Sequence, residues 1–338
     1  MDNVTHAALG LCAGLAARRA GVPVLPAAVA ALVAGELPDA DLLIRSADDP
    51  LVAFRWHRHF THSLFLWPVL AAIAAAAAAW AFRKREGVGF TALLPVTLAA
   101  SLSHVLNDAC TSYGTLVLWP FSDARVAWDC LPIIDLALTL PLVVLATLAW
   151  RRGARAWAIA GVAWCAAYAG MGRLQHDRAE AALVASLGGE RPARLAVKPT
   201  VSNLVLWRAV WQDGGTWRTA AVWAAPFAEP RITHGETRAV WSAADPALPP
   251  EGSRARRLLE DFNRFTGGWN SVEDVPEGGR LIGDIRFATI PTRAAPLWGV
   301  HVRAAEPAHF EVRMDRRIRE GDWSRLGRLL MGLPPSAE

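Results

Sequence analysis

The chain has 338 residues, of which 53% are hydrophobic, with Lys+Arg 35 against Asp+Glu 31 for a formal net charge of +4. Four cysteines are too few for a disulfide scaffold, and basic residues spread without a Lys/Arg block exclude a nucleic-acid arm, so no nucleic acid is expected as a partner. The length accommodates two domains, and the long apolar runs end near residue 173, which predicts a membrane helical domain over 1-172 and a small soluble α+β domain over 173-338.

Small and apolar residues dominate from Thr5 to Arg19 and again from Pro23 to Glu36, on either side of a Gly21-Val22-Pro23 break. They predict a short N-terminal helical pair, each member shorter than a bilayer crossing. No basic start and cleavage site of a secretory signal precede it, so the N-terminus is expected to be retained. His6 stands at the start of the first helix, and Leu37-Pro38-Asp39-Ala40-Asp41 follows the second; a helical hairpin would bring them together. The loop from Leu42 to Arg55, with Arg45, Asp48, Asp49 and Pro50, is expected to be a polar cover.

Trp56-His57-Arg58-His59-Phe60-Thr61-His62-Ser63 then places three imidazoles within six residues, immediately before an apolar run. Four such runs, Leu64 to Phe82, Val88 to Val105, Leu131 to Trp150 and Ala156 to Gly172, are each about as long as a bilayer crossing. The predicted fold class is therefore mainly α: a polytopic membrane helix bundle of four long spans plus the short pair, followed by the α+β domain. Trp67, Trp80 and Phe82 near the ends of the first run have the character of interfacial aromatics. His104 and Asp108, four apart, share one face of a helix. Cys12 and Cys165 lie inside apolar segments, and Cys110 and Cys130, the one pair that could meet, are expected to remain free thiols.

Beyond Gly172 a helix is expected to about Leu187. Leu204 to Gln212 and Thr216 to Ala224 flank Asp213-Gly214-Gly215, a hairpin signal. Ser253 to Phe265 has the pattern of a helix, Arg280 to Thr289, Trp298 to Arg303 and His309 to Met314 of strands, and Asp322 to Met331 of a closing helix. Trp207, Trp211, Trp217 and Trp223 are expected to pack a core, and the scattered His176, His234, His301 and His309 are assigned no chemistry.

Imidazole nitrogen and carboxylate oxygen are the usual ligands of zinc and similar divalent ions, and an open catalytic site needs about three protein ligands plus water. A lone histidine is more often packing than ligand. Ionisable groups recurring at the ends of membrane-length segments are costly there without partners, so the set as a whole points to function. The candidate metal ligands are His6, Asp39, Asp41, His57, His62, His104 and Asp108. Asp41 is alternatively a catalytic base, Arg58 a clamp for an anionic group or a headgroup-facing cation, and Asp135 a group that orients an imidazole from behind. Arg18-Arg19, Arg83 to Arg85 and Arg151 to Arg155 mark the cytoplasmic side, which predicts that the site and the C-terminal domain face the periplasm or exterior.

These motifs, in this order, resemble the YdjM-type bacterial membrane-bound metal-dependent hydrolases, also described as LexA-regulated inner-membrane hydrolases. Thr5-His6, Leu37-Pro38-Asp39-Ala40-Asp41, His57-Arg58 with Thr61-His62-Ser63, and Ser103-His104 with Asp108 carry the likeness. Thr111-Ser112-Tyr113-Gly114, Leu118-Trp119-Pro120-Phe121-Ser122 and Pro199-Thr200 to Trp207-Arg208 extend it to about residue 210. The resemblance implies an integral inner-membrane protein with a divalent-metal site and hydrolase activity. A more distant similarity, in the order of a leading His, a Pro-Asp, a His cluster and a His-x3-Asp, is to zinc-dependent phospholipases C. His59 departs from the family pattern and ranks below His57 and His62. The expected function is metal-assisted hydrolysis, with zinc as the leading cofactor, of a phosphoester or ester in a lipid-derived substrate that arrives from the lipid bilayer. The alternative is a metal-binding sensor, transporter or envelope assembly factor without turnover.

Overall fold

The computed structural model describes residues 1–46, 49, 51–242, 249–275, 278–306, 309–316 and 321–333. Asp48 and Pro50 of the expected polar loop lie outside the described residues. The chain divides into two compact units: Met1–Ile44, Trp56–Leu174 and Val201–Asn203 form one, and Arg45–Arg55, Gln175–Thr200 and Leu204–Glu338 the other.

Helices make up the first unit. Its elements are α1 (Asn3–Ala17), α2 (Val24–Glu36), a 3-10 segment Leu37–Leu43, a 3-10 turn Phe60–His62 that follows the short α3 (Val52–Trp56), α4 (Trp67–Phe82), α5 (Phe90–Ala109) and α6 (Leu136–Arg152). Helix α7 (Arg155–Ser186) begins here and continues past the boundary at Leu174. Capping side chains set the starts of two helices. The Asp2 carboxylate accepts from Thr5 N at 3.0 Å to open α1, and the Asp135 carboxylate accepts from Ala137 N at 2.9 Å to open α6. Gly153, at φ +62°, ends α6 in the left-handed conformation that favours glycine, and its carbonyl accepts from Arg18 Nη2 at 3.0 Å. That bond places the C-terminal ends of α1 and α6 side by side.

Small residues let α1, α2 and α5 approach closely. A Cβ built on Gly10 would sit 3.1 Å from Gly35 Cα, and one on Gly14 would sit 2.5 Å from Ala31 Cβ and 3.0 Å from Val96 Cγ1. The first turn of α1, the segment after α2 and the last turns of α5 consequently meet at one end of the bundle. On the outside, Val69 and Ile73 of α4 and Leu140 and Val144 of α6 are exposed, giving the helices an apolar outer face.

The expected four-span polytopic bundle is not what the chain forms. Among the described residues, Phe90–Ala109 alone is long and apolar enough to cross a membrane, and a second candidate arises only if Val52–His62 and Trp67–Phe82, bent by 80°, count as one broken span. The apolar runs overstate the helices. Leu64 to Leu66 belong to a turn, and Leu131 to Ile134 precede the Asp135 cap, so α4 and α6 keep 16 and 17 residues. At 1.5 Å per residue they are about 24 and 26 Å long, short of a hydrocarbon core about 30 Å thick. Helix α7 has 32 residues, but its apolar first half runs on into Arg173, Asp177, Arg178 and Glu180.

The second unit holds two four-stranded antiparallel sheets. One has the order β1 (Leu195–Pro199), β2 (Leu206–Asp213), β3 (Thr216–Trp223), β4 (Arg231–Ala239); the other has β5 (Asn270–Asp274), β6 (Arg280–Asp284), β7 (Trp298–Glu306), β8 (His309–Arg316). Helices α8 (Arg254–Thr266) and α9 (Asp322–Leu330) accompany them. The β2–β3 hairpin turns at Gly214, with Asp213 opposite Thr216, and Trp207, Trp211 and Trp217 are buried. The strand expected from Arg280 to Thr289 ends at Asp284. Past that point the carbonyls of Ile285, Pro291 and Arg293 accept from the buried Arg208 guanidinium at 2.7–2.8 Å, and the Thr292 carbonyl accepts from Glu236 N of β4 at 2.7 Å, so this segment leaves the β6–β7 ladder.

Candidate metal centre

Four side chains converge where α1, α2, α4 and α5 meet. Asp39 comes from the 3-10 segment after α2, His62 from the turn before α4, and His104 and Asp108 from successive turns of α5. His62 Nε2 lies 3.0 Å from His104 Nε2, 3.4 Å from Asp39 Oδ1 and 3.2 Å from Asp108 Oδ2. His104 Nε2 lies 3.5 Å from Asp39 Oδ1 and 3.7 Å from Asp108 Oδ2. A tetrahedral ion with ligands at about 2.0–2.1 Å has ligand-to-ligand edges of about 3.3 Å. Five of the six edges of this tetrad therefore bracket the value that a single ion imposes.

The tautomers agree with that reading. His104 Nδ1 donates to the Gly35 carbonyl at 2.6 Å, which leaves the Nε2 lone pair facing inward. His62 Nδ1 faces Thr61 Oγ1 at 2.9 Å and Asp41 Oδ2 at 3.3 Å, which directs its own Nε2 lone pair to the same point. Two lone pairs 3.0 Å apart in a buried setting repel unless a cation or a proton lies between them. Asp39 Oδ1 and Asp108 Oδ2 are buried and form no hydrogen bond, although Arg58 Nε ion-pairs with the latter at 3.0 Å, and these are the two oxygens aimed at the imidazoles. Two imidazoles and two carboxylates are a donor set for zinc, manganese or iron, and a divalent cation fits.

Around the tetrad, other side chains hold the ligands in place. Asp41 receives Arg58 N at 2.9 Å and Thr61 Oγ1 at 2.7 Å on Oδ2, while its Oδ1 lies 2.9 Å from His57 Nδ1. It thus braces His62, His57 and the turn that carries them. Asp39, Asp41 and His57 also form a second grouping in which each offers a ligand atom within 4.8 Å of the others. His6 does not enter the tetrad. Its Nε2 lies 3.0 Å from Asp108 Oδ1, and its ring stacks on His104 at 3.7 Å between centroids. The Met1 amine nitrogen contacts the same carboxylate oxygen.

Arg58 is buried, at φ +58°, with Nη1 donating to Thr111 Oγ1 at 2.6 Å and Nε 3.0 Å from Asp108 Oδ2. Its guanidinium also lies over the Tyr113 ring. Asp135 binds the first turn of α6 and accepts from Tyr168 Oη at 2.8 Å, so no imidazole is oriented by it. His59 packs against Trp56 and Trp119, away from the tetrad.

Electrostatics keep the acids ionised. Burial works to raise the Asp39 carboxyl, but the His104 and His62 imidazoles that face it outweigh burial and hold Asp39 below the ordinary carboxylate range. Asp41 is lowered in the same way, with His57 and His62 outweighing its burial. The site is closed on one side and open on the other: the His62, His104 and Asp108 side chains are 0–1% exposed, whereas Asp39 is 8% and His57 19% exposed.

Sequence reasoning missed three supporting groups. Thr61 and Thr111 lie inside motifs singled out for their neighbours, so a signal existed. The Gly35 carbonyl that fixes the His104 tautomer has none, since a backbone oxygen leaves no mark in residue type.

An inner-membrane helical bundle with a buried His/Asp cluster is the class that the fold and comparisons define together. The chain belongs to the YdjM inner membrane protein family, which matches over residues 1–179. It is similar to the inner membrane protein YbcI of Escherichia coli (strain K12), at 32% identity over 145 residues that cover 40% of this chain and 78% of that protein. No solved structure matches.

Proposed function

We propose that this membrane protein is a metal-dependent hydrolase acting on a phosphoester or other ester of a lipid-derived substrate. The observation that carries the reading is the tetrad Asp39, His62, His104 and Asp108, with two Nε2 atoms 3.0 Å apart and two buried carboxylate oxygens lacking hydrogen-bond partners. When bound, a divalent ion supplies hydroxide near neutral pH by lowering the pKa of water toward about 7 and polarises the scissile oxygen. The chain's own residues supply the rest. Asp41 and Thr61 orient His62, Gly35 O orients His104, and Arg58 with His6 holds Asp108. The partial exposure of Asp39 and His57 gives a substrate one side from which to approach.

The exposed apolar faces of α4 and α6 support a substrate that arrives from lipid. Arg18-Arg19, Arg83 to Arg85 and Arg151-Arg152 follow or close α1, α4 and α6 at the ends remote from the tetrad, which supports a periplasmic location for the site.

A second reading has its own support. Four protein ligands, three of them with fully buried side chains, are the pattern of closed structural metal sites, which favours a non-catalytic metal-binding membrane protein. The two separate in one assay: detergent-purified chain with bound zinc, against a panel of phosphoester and carboxylic ester substrates. Hydrolysis lost in His62→Ala supports the enzyme. A wild type that binds zinc and turns over nothing supports the structural role.

A further inference from the structure

We infer that the site holds two divalent ions bridged by Asp39, the second lying between Asp39, Asp41 and His57, and that its ligand is a phosphate group. The inference rests on the proposed tetrad site and extends it outward. Asp39 belongs to both groupings whose ligand atoms lie within 4.8 Å of one another, so its carboxylate is the ligand the two places share. Asp41 is committed through Oδ2 to Arg58 N and Thr61 Oγ1, which leaves Oδ1 turned to His57 Nδ1 at 2.9 Å. Ligands at about 2.1 Å in octahedral geometry are about 3.0 Å apart, so this spacing suits an oxygen-preferring ion as well as a hydrogen bond.

The two places differ in character. The tetrad is buried, while the outer place lies beside the 19% exposed His57 side chain, and a second ion there would exchange with solvent. Charge identifies the ligand. Asp39, Asp41 and Asp108 carry three negative charges, which one divalent ion and the buried Arg58 already balance before the Met1 amine on Asp108 is counted. A second ion leaves an excess of two positive charges, and Arg125, whose Nη1 reaches the His57 carbonyl at 3.3 Å, adds to it. A dianionic phosphate monoester, or inorganic phosphate, neutralises that excess and has oxygens enough for both ions; sites with two ions about 3.5–4 Å apart recur in phosphatases.

The experiment titrates chelator-treated, detergent-solubilised full-length chain with Mn²⁺, counting bound ions by equilibrium dialysis and recording the electron paramagnetic resonance spectrum. Wild type should bind two ions per chain with an exchange-coupled spectrum, and His57→Ala should bind one with the spectrum of an isolated ion. Inorganic phosphate should bind the two-ion form and lose at least tenfold in affinity in His57→Ala. One ion in wild type, or two without coupling, overturns the bridged site and leaves the tetrad reading intact; no ion overturns both. Two ions retained in His57→Ala overturn the ligand assignment, and phosphate that ignores the second ion overturns the ligand class. Should His57→Ala not fold, the wild-type stoichiometry and spectrum decide.

Discussion

His104 owes its chemistry to a backbone oxygen. Because Gly35 O takes the Nδ1 proton, Nε2 is left as a lone pair aimed at His62 Nε2, Asp39 and Asp108. Asp41 plays the corresponding part for His62, and Asp41→Asn should therefore lower metal affinity by about 10–100-fold while the fold survives. Competition titration with a chromophoric chelator measures this, and unchanged affinity would remove Asp41 from its bracing role. Affinity should also depend on pH with a defined sign. Asp39 and Asp41 are held below the ordinary carboxylate range, while His62, which burial would lower, is raised to about 10 by Asp108, Asp39 and Asp41, so proton competition falls on His62 and affinity should climb as pH rises through neutrality toward about 10. A fall confined to pH below 4 would shift the ligand set toward carboxylates alone.

These residues were legible because Asp39, His62, His104 and Asp108 each sit in a short motif whose residue types are unusual beside apolar runs. Asp135 shows the limit of that signal. A carboxylate at the head of an apolar segment looks the same in sequence whether it serves a metal ligand or, as here, the backbone N–H groups of α6 and the Tyr168 hydroxyl.

Among the elements, the contact of α1 with α2 and α5 positions the site. Gly14 has no room for a side chain, since a Cβ there would meet Ala31 Cβ at 2.5 Å and Val96 Cγ1 at 3.0 Å. Gly14→Val should cost about 1–3 kcal/mol through overpacking and lower metal occupancy with it. Gly170 of α7 has nothing within 4 Å of the same atom, and Gly170→Ala should be neutral or stabilising by up to about 1 kcal/mol. Thermal denaturation in detergent reads both, and equal effects would remove the packing argument. Helix existence was legible from composition, but helix length was not. Apolar residues such as Leu64, Phe65 and Leu131 to Ile134 belong to turns and approaches, and a hydropathy run counts them as helix. The β2–β3 hairpin was legible because the Asp213-Gly214-Gly215 turn interrupts two alternating segments. The early end of β6 was not, because the segment past it bonds to Arg208 and to Glu236 of β4, both distant in sequence.

For the whole molecule, family membership places the chain in the inner membrane, and Arg18-Arg19, Arg83 to Arg85 and Arg151-Arg152 stand at helix ends remote from the site, while Arg58 and Arg125 belong to the site itself. A cysteine introduced at the exposed Ala40, beside Asp39, should react with a membrane-impermeant maleimide added to intact spheroplasts. Labelling only after lysis would put the site on the cytoplasmic side. Whether Asp39, His62, His104 and Asp108 hold a divalent ion is read out by X-ray absorption of purified chain loaded with one equivalent of zinc. A shell of nitrogen and oxygen at about 2.0–2.1 Å is expected, with outer scattering from two imidazoles, reduced to one in His104→Ala. Failure to retain zinc, a sulfur shell near about 2.3 Å, or a spectrum unchanged by His104→Ala would contradict that ligand set.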